Sequence, residues 1–385
     1  MKLTFHVTSS ICNVPLAEWQ QIVPKDNLLH QYEYLKSVEE CLERVCGFRY
    51  VLIYENKSLT GAAYFQIVQF NGKQLNNYSV SKSLVSKIQR TLLSVIKARL
   101  LVGANLLMTG EKAAFFKRGL EMGTSALIYS ATVKELMRID KEVDAFLMPD
   151  IYAHDTELLK VFEGDQFHII REEPDMFMTL NPSWNTFEDY KKNLLSKYRI
   201  RTNKCLKLSE HIERKELSEQ EIKEQEHDIF ALYQNTLDKV PFSLISVKRE
   251  FFAAQKRILP NTYHIFGYFV NNKLVGFNSI YLLNNTAEVH YVGINYEINK
   301  SCKLYLRMLL DSISYSIENK LSMLHFGRTA TEIKSSVGAQ PMAIFGVLRH
   351  KNFLYNQFIV GPLSKKIQPQ EAVIRRPFNT QYTNQ

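Results

Sequence analysis

Residues 264–294 contain three strand-like runs joined by two Asn pairs. The runs read HIFGYFV, KLVGFNSIYLL and TAEVHYVGI, and the turns between them contain Asn271–Asn272 and Asn284–Asn285. Aromatic and β-branched residues favour strands, and Asn tolerates the positive φ of a tight turn. The segment therefore predicts an antiparallel meander, around which the rest of this part of the chain must be built.

A helix and further short elements are predicted after the meander. Over 303–321, apolar residues recur three and four positions apart, as in an amphipathic helix: Leu306, Leu309, Leu310, Ile313, Ile317. SMLHFG then predicts a strand, TATEIKSSVG a short helix ended by Gly338, and MAIFGVLRH and FLYNQFIV two more strands. The predicted order is βββαβαββ.

The first half of the chain shows the same order. RYVLIYENKSLTGAAYFQIV (49–68) predicts a hairpin, 83–100 an amphipathic helix, NLLMTG (105–110) a strand and EKAAFFKRGLEMG a short helix. Gly61 and Gly276 are 215 residues apart, and Gly110 and Gly327 are 217 apart. We infer an internal duplication. The predicted fold class is α/β (α+β), with two similar units that are each a mixed, mostly antiparallel sheet flanked by helices.

Length, charge and cysteine content narrow the class of protein. The chain has 385 residues, enough for two units, and its net charge of +9 favours anionic partners. Its five cysteines include no C-x-x-C pair, which predicts neither a disulfide framework nor a metal site. No apolar run has the length of a signal peptide or a membrane span, so we expect a cytoplasmic protein. No nucleotide-hydrolase, serine-esterase or zincin motif is present.

Two charged segments stand out. Residues 191–207 contain seven Lys or Arg and no Asp or Glu, and follow Thr186, a predicted helix N-cap. Lys197 and Arg199 on this helix would contact tRNA phosphates, line a cleft for an anionic substrate, or only face solvent.

The second charged segment is FGRTATEIKSSVGAQP, at the predicted end of a strand. Arg328, Glu332 and Lys334 would lie near one another on the following short helix. Arg offers a two-pronged donor set and Lys a point charge, so the group would bind an acceptor carboxylate or a donor phosphate. The alternative is a salt bridge on a solvated turn.

The order of elements resembles the GNAT acyltransferase fold, and the duplication resembles the tandem-GNAT architecture of Fem-type peptidoglycan aminoacyltransferases and FemAB-like acetyltransferases. SWNTFEDYKKNLLSKYRIRTNKCLK and FGRTATEIKSSVGAQP carry the local similarity, within a resemblance over roughly 45–360. It implies an N-terminal GNAT-like unit at 1–180 and a C-terminal unit at 181–360. The residues from Gly361 on are basic and have little apolar periodicity, so we expect an extended or loosely docked tail at 361–385. The first unit would be a degenerate copy that shapes the acceptor cleft, and the second would hold the donor.

Acyl transfer to an amine needs a base for the amine and an acid for the leaving group. Strand alternation places Glu288 and His290 on one face, with Val289 and Tyr291 on the other. Glu288 or His290 is the candidate base. Tyr291 or Tyr305 is the candidate acid, as a tyrosine is in many GNAT enzymes. The alternatives are a solvated Glu, a half-buried structural His and core tyrosines.

The resemblance also implies acyl-coenzyme A as donor substrate, near the end of the third strand of the meander. The candidate contacts are Val292, Gly293, Ile294, Ser301 and Lys303. The sequence departs from the family here, because NYEINKSCKLY stands where GNAT enzymes have a glycine-rich pyrophosphate loop; SVSKSLVSK in the first half lacks it too. A helix N-terminus would replace the loop as an anion site.

Three functions stay open. The leading hypothesis is an N-acyltransferase that moves an acyl group, by preference acetyl, from acyl-coenzyme A to a small-molecule amine. The second is an aminoacyl-tRNA-dependent transferase acting on a peptidoglycan precursor, with tRNA as partner. The third is a non-catalytic GNAT-like binding module, which the missing glycine loop favours.

Overall fold

The structure is a computed structural model that describes residues 2–72, 97–110, 113–240, 243–367, 369 and 373–378. The chain divides into two compact units. The first comprises Met1–Glu173, Pro241–Lys248 and Ala343–Gln370, and the second comprises Pro174–Val240, Arg249–Met342 and Glu371–Gln385. No helix among the described residues is both long enough and apolar enough to cross a membrane.

The strands are numbered in chain order: β1 Leu3–Thr8, β2 Gly47–Glu55, β3 Ser58–Asn71, β4 Lys97–Val102, β5 Ala114–Phe116, β6 Ala145–Tyr152, β7 His168–Arg171, β8 Asp175–Thr179, β9 Glu213–Glu216, β10 Tyr263–Val270, β11 Lys273–Leu283, β12 Thr286–Ile294, β13 Met323–Gly327, β14 Gln340–Met342, β15 Ile344–His350.

The helices are numbered likewise: α1 Leu16–Ile22, α2 Tyr32–Leu42, α3 Met122–Ile139, α4 Thr156–Gly164, α5 Phe187–Asn193, α6 Ser196–Leu208, α7 Glu219–Glu224, α8 Glu226–Leu237, α9 Phe251–Ile258, α10 Tyr296–Cys302, α11 Leu304–Glu318, α12 Thr331–Ser335, α13 Phe353–Tyr355, α14 Gly361–Lys366.

The two sheets share one topology. The first has the order β1-β2-β3-β4-β6-β15-β7, with β5 also paired to β3, and the second has the order β9-β10-β11-β12-β13-β8-β14. Each described sheet contains a single parallel pair, β4 with β6 and β12 with β13, at the corresponding place. The predicted fold of two mostly antiparallel, duplicated units is confirmed.

The sixth strand of each sheet comes from the other half of the chain. β8 follows β7 in sequence but lies between β13 and β14, and β15 follows β14 but lies between β6 and β7. Each unit is therefore discontinuous in sequence. This composition differs from the expected division at residues 180 and 360, because a cut there would separate both strands from their sheets.

The local predictions in the first half have different outcomes. NLLMTG forms turns rather than a strand, and the described part of EKAAFFKRGLEMG contains β5 rather than a helix. Residues 83–96 of the predicted helix, and SVSKSLVSK, lie outside the described residues, while 97–100 belong to β4. The hairpin offset marked by Gly61 and Gly276 holds in the structure. Gly110 lies in a turn and Gly327 ends β13, whose counterpart is β6, so that second landmark was wrong.

Two predictions near the end of the chain also need correction. FLYNQFIV is helical over 353–360, rather than a strand. A short apolar run does not distinguish a strand from a helical turn. The tail docks more closely than expected, because Phe378 packs on Trp184 and Tyr190 at ring-centroid distances of 5.7 and 6.0 Å. Thr186 caps α5 as predicted, in a capping box with Asp189.

α11 shows why the second unit holds together. Its apolar stripe, including Leu306, Leu309 and Ile313, is buried against the sheet. Gly276 lets the helix approach closely, since a Cβ there would come within 2.6 Å of Met308. Burying each such aliphatic side chain contributes about 1.5–3 kcal/mol. The other face of this sheet, which α8 and α9 cover, carries the polar side chains described next.

Candidate functional site

Four side chains form one row across the second sheet. They are direct neighbours on successive strands β11, β12, β13 and β8: Tyr281, Glu288, His325, Phe177. The Glu288–His325 pair is the last at which β12 and β13 are joined. Beyond it β12 continues to Ile294 while β13 ends at Gly327, so the row lies where the parallel strands part.

His325 occupies the centre of this row and contacts two carboxylates. Its Nε2 lies 2.6 Å from Asp175 Oδ1, its Nδ1 is hydrogen-bonded to Glu288 Oε2, and its ring stacks on Phe177 at 4.2 Å. Burial opposes the charged form, but the hydrogen bonds and charges of Asp175 and Glu288 outweigh it and raise the pKa of His325 to about 9. The imidazolium therefore donates to both carboxylates at neutral pH.

The two carboxylates differ in their exposure to solvent. The Asp175 side chain is fully buried, whereas 19% of the Glu288 side chain is exposed. Asp175 therefore holds the His325 ring at Nε2, on the buried side, and His325 Nδ1 holds the partly exposed Glu288 carboxylate. One imidazolium between two carboxylates carries a net charge of −1, which favours a cationic group such as an ammonium. This arrangement suits a base that accepts a proton from an amine.

Sequence reasoning found Glu288 but missed His325 and Asp175. His325 is the polar residue in LHFG, which otherwise reads as an apolar strand, and Asp175 is 150 residues away in the chain. A histidine in a predicted buried strand was the available signal, because a buried polar group requires a partner. The identity of that partner depends on the placement of β8.

A β-bulge changes the predicted alternation on β12. Ser279 lies opposite both His290 and Tyr291, since Asn278 pairs with Val292 and Ile280 pairs with Val289. The Tyr291 N–H donates to Ser279 Oγ at 3.0 Å. Because a bulge inserts one extra residue, His290 and Tyr291 turn to the same face, with ring centroids 3.9 Å apart. The prediction that they occupy opposite faces was wrong.

His290 and Tyr291 lie in an aromatic environment under α8 and α9. His290 contacts the Tyr281 ring at 5.0 Å and Tyr291 contacts Tyr233 at 5.1 Å. His290 Nδ1 is 3.4 Å from Ser279 Oγ. Glu288, His290 and Tyr291 therefore share one face, and the structure brings these three candidates together.

Tyr305 belongs to a different environment. It lies in the first turn of α11 and packs with Val289 and Val292 against the core on the opposite face of the sheet. Burial, followed by the nearby Tyr296, raises the pKa of Tyr305, so its hydroxyl stays protonated at neutral pH. Its backbone N–H donates to Asn299 Oδ1 at 2.9 Å, which occupies one donor of the helix N-terminus.

The remaining donor candidates lie along and after the end of β12. No strand among the described residues pairs with β12 on the β13 side beyond Glu288, so the edge that includes Val292, Gly293 and Ile294 is open there. Ser301 is on α10, and its hydroxyl donates to Ile298 O at 3.1 Å. Lys303 adopts φ 57° between α10 and α11. A helix and this left-handed residue thus stand in place of a glycine-rich loop.

The charged group near residue 330 is divided among different partners. The buried Lys334 ammonium donates to the backbone carbonyls of Gly327 and Arg328, at 2.9 and 2.5 Å. Glu332 is exposed and pairs with Arg375 of the tail. Lys334 therefore closes the turn after β13, and Glu332 holds the tail.

The basic segment forms an exposed stripe on α6, to which Lys197, Arg201, Lys204 and Lys207 belong, while Arg199 lies on another side of the helix. Five cations point to solvent: Lys197, Arg199, Arg201, Lys204, Lys207. Lys197 lies over the Tyr198 ring at 4.9 Å, and the described residues provide none of the five with a carboxylate within salt-bridge distance. These side chains are not part of the Glu288 row, and the structure does not bring them together with it.

Two sheets of this topology, each with strands that part beside the parallel pair, define a tandem GNAT fold. The fold is shared with FemX, at a TM-score of 0.51 and 11% identity over 93% of this chain and all of that one. It is also shared with a tandem GNAT protein from the clavulanic acid biosynthesis pathway, at a TM-score of 0.51 and 8% identity over 91% and 99%. No protein-family model matches the sequence, and no curated protein is significantly similar to it.

Proposed function

We propose that this protein is an N-acyltransferase whose second unit moves an acyl group, by preference acetyl, from coenzyme A to a small-molecule amine. The carrying observation is Glu288, a partly exposed carboxylate that His325 and Asp175 hold where β12 and β13 part. The tandem GNAT fold is consistent with acyl transfer, although fold alone does not fix function.

The reaction follows from the charges at this site. A net charge of −1 attracts the ammonium form of the acceptor, and Glu288 removes one proton directly or through water. The freed nitrogen attacks the thioester carbonyl, an N–C bond forms, and the C–S bond breaks. The sulfur leaves as a thiolate and takes a proton from Tyr291, which shares the face of Glu288; Tyr305, the other candidate acid, packs on the opposite face of the sheet. The nitrogen of the adduct still carries one surplus proton, which passes through water to the phenolate and restores the tyrosine. The products are an amide and free coenzyme A, with the first acceptor proton held by Glu288 until water removes it.

The open edge of β12 supports the proposed donor site. The pantetheine arm of coenzyme A carries two amides, and an amide chain beside a free strand edge pairs as an added strand. Val292, Gly293 and Ile294 would offer that edge. Ser301 and Lys303 would then face the phosphates. The Lys303 ammonium would bind them through its positive charge, in place of the N–H groups of a glycine-rich loop.

Isothermal titration with acetyl-coenzyme A, at low and moderate salt, tests the donor. Saturable binding that Lys303→Glu or Arg328→Ala weakens supports the proposal, with Lys273→Glu at the exposed first residue of β11 as the matched charge reversal. Transfer to a panel of amines is then followed by thiol release. Binding without transfer, or no binding at all, contradicts the proposal; the second result favours the non-catalytic binding module.

A second candidate, an aminoacyl-tRNA-dependent transferase acting on a peptidoglycan precursor, is favoured by the α6 stripe. Five exposed cations on one short helix would contact nucleic-acid phosphates. Binding of total tRNA would then fall steeply with salt, and Lys197→Glu with Arg199→Glu would reduce both the affinity and the salt slope. Salt-independent affinity, or none, rejects this candidate and leaves the stripe as a solvated face.

A further inference from the structure

The first unit contains a buried polar cluster on the face of its sheet that α2 covers. Its members are Tyr34, Ser37, Tyr64, Gln66 and Asn105, and each is at most 2% exposed. Tyr34 and Ser37 lie one turn apart on α2, Tyr64 and Gln66 are alternate residues of β3, and Asn105 follows β4. One helix, one strand and one turn therefore meet at the cluster.

Two hydrogen bonds bring Tyr34 and Gln66 to Asn105 and its neighbour, and Ser37 lies one turn from Tyr34 on α2. Asn105 Nδ2 donates to the Tyr34 hydroxyl at 3.3 Å, and the next residue, Leu106, donates its N–H to Gln66 Oε1 at 2.7 Å. Tyr34 is also close enough to Tyr64 to act on the charge of its phenol. The phenols and the Gln66 amide therefore converge beside Asn105.

Three polar atoms in this cluster have no hydrogen-bond partner among the described residues. They are the Tyr64 hydroxyl, the Ser37 hydroxyl and Gln66 Nε2. A buried polar group without a partner is destabilising, and native proteins pair such groups with protein, water or ligand. Two of them belong to alternate residues of β3 and so share one face of that strand, and the third is one turn from Tyr34 on α2; together they indicate that the unit accommodates something that hydrogen-bonds to them.

None of the five members carries a charge, and the Glu39 carboxylate acts on the Tyr64 phenol, which further disfavours an anionic ligand. Burial lowers the pKa of the neighbouring His30 to about 3, so its imidazole is neutral. The Glu39 carboxylate is engaged by Ser10 Oγ and the Ile11 N–H, at 2.7 and 2.6 Å. No Lys or Arg is buried among the described residues of this unit. An anion would therefore be buried here without a counter-charge, at high cost.

The donor and acceptor inventory narrows the class further. Gln66 Nε2 donates only, so the ligand must offer an acceptor there, such as a carbonyl oxygen, whereas the two hydroxyls donate or accept. Tyr64 is flanked by Phe48 and His30 rings at 6.3 and 6.0 Å, which suit an apolar group. We propose that the first unit binds a small neutral molecule through a carboxamide or N-acyl group at this cluster.

The test uses acetamide and acetate, which have nearly the same shape and differ in charge. Saturation-transfer NMR measures both with the full-length protein, and hydrogen exchange of the α2 and β3 peptides is read alongside. Since every member is buried, binding requires transient opening and then slows exchange in both peptides. We expect acetamide to bind at least tenfold more tightly than acetate.

Tyr64→Phe removes one hydroxyl and keeps the ring, so it should weaken acetamide binding about fivefold or more. Ser37→Ala is the second variant if Tyr64→Phe does not fold. Tyr54→Phe is the control, because that hydroxyl bonds to Glu18 outside the cluster. Equal binding of acetate, or no effect of either variant, overturns the proposal. Long-lived buried water without acetamide binding overturns it as well, and shows that water alone satisfies the cluster.

Discussion

Equivalent rows in the two sheets carry opposite chemistry. The row in the second sheet is Tyr281, Glu288, His325, Phe177, and the row in the first is Gln66, Val102, Leu147, Leu348. Both rows cross the parallel pair at its last joined position. Aliphatic side chains occupy this position in the first unit, whereas an ion network occupies it in the second. Since aliphatic side chains satisfy the same backbone, the sheet itself does not require the charges of the second row.

Replacing a buried ion network by aliphatic groups is often neutral or stabilising. Retaining three ionisable groups in one copy is therefore better explained by chemistry than by stability. The comparison also shows that the polar character of the first unit lies at the end of its row, on Gln66 and the polar residues around it. The two units thus present different polar groups at related places.

The largest expected effect is on transfer by Glu288→Gln. The amide keeps the shape but accepts no proton from the acceptor, so kcat should fall about 10²–10⁴-fold while acetyl-coenzyme A still binds. Initial rates of thiol release measure this effect. Glu297→Gln, at an exposed residue of α10, is the matched control. A loss of less than threefold would remove Glu288 from the mechanism.

Asp175→Asn should strongly destabilise the second unit. The change leaves the buried His325 imidazolium with one carboxylate, and breaking a buried pair in this way costs about 3–5 kcal/mol. Hydrogen exchange of β13 and β6 peptides, compared in one experiment, measures the two units separately. If the substitution changed exchange equally in the two sheets, relative to the unsubstituted protein, the network would contribute no stability to the second unit.

The stability of the second unit should depend on pH through His325. Its folded pKa is about 9 and its unfolded value about 6.5. The stabilisation is therefore complete below pH 6.5 and is lost as the pH rises through 9, by at most about 3 kcal/mol. Exchange of β13 peptides at pH 6 and pH 9.5, corrected for intrinsic rates, measures the change. His325→Gln should abolish it, and a slope that persists in that variant would assign it to another group.

Leu147→Met should have the smallest effect. Leu147 occupies the His325 position of the first row, and a volume-conserving apolar change costs less than about 1.5 kcal/mol. Transfer rate and pH dependence should be unchanged. Unfolding of the purified variant in urea and one rate measurement suffice as a check. A tenfold rate loss would show that the first row contributes to the reaction after all.

The regular elements were predictable because their periodicity is local. The meander, the α11 stripe and the duplicated order all follow from spacing between nearby residues. The alternating pattern predicted the wrong faces for His290 and Tyr291, because the pattern of residue types in the sequence does not reveal a β-bulge. FLYNQFIV failed because a short apolar run suits a helix as well as a strand.

The candidate site was predictable only in part. Glu288 is visible as a polar residue in a strand, and its proposed role as base still awaits a test. The partners of His325 come from β12 and β8, and no local pattern places β8 beside β13. The different partners of Glu332 and Lys334 were not predictable either. Arg375 is far from Glu332 in the chain, and the sequence does not show which backbone carbonyls the Lys334 ammonium reaches.

The placement of β15 has a consequence for synthesis on the ribosome. The first sheet has its seventh position, β7, by residue 171, but the strand between β6 and β7 is not made until residue 350. At about 5–20 residues per second, the edges of β6 and β7 wait roughly 10–40 s for their partner. During that interval the nascent chain exposes two unpaired strand edges, which are templates for association with other chains. Folding of the first unit is thus timed by translation of the second.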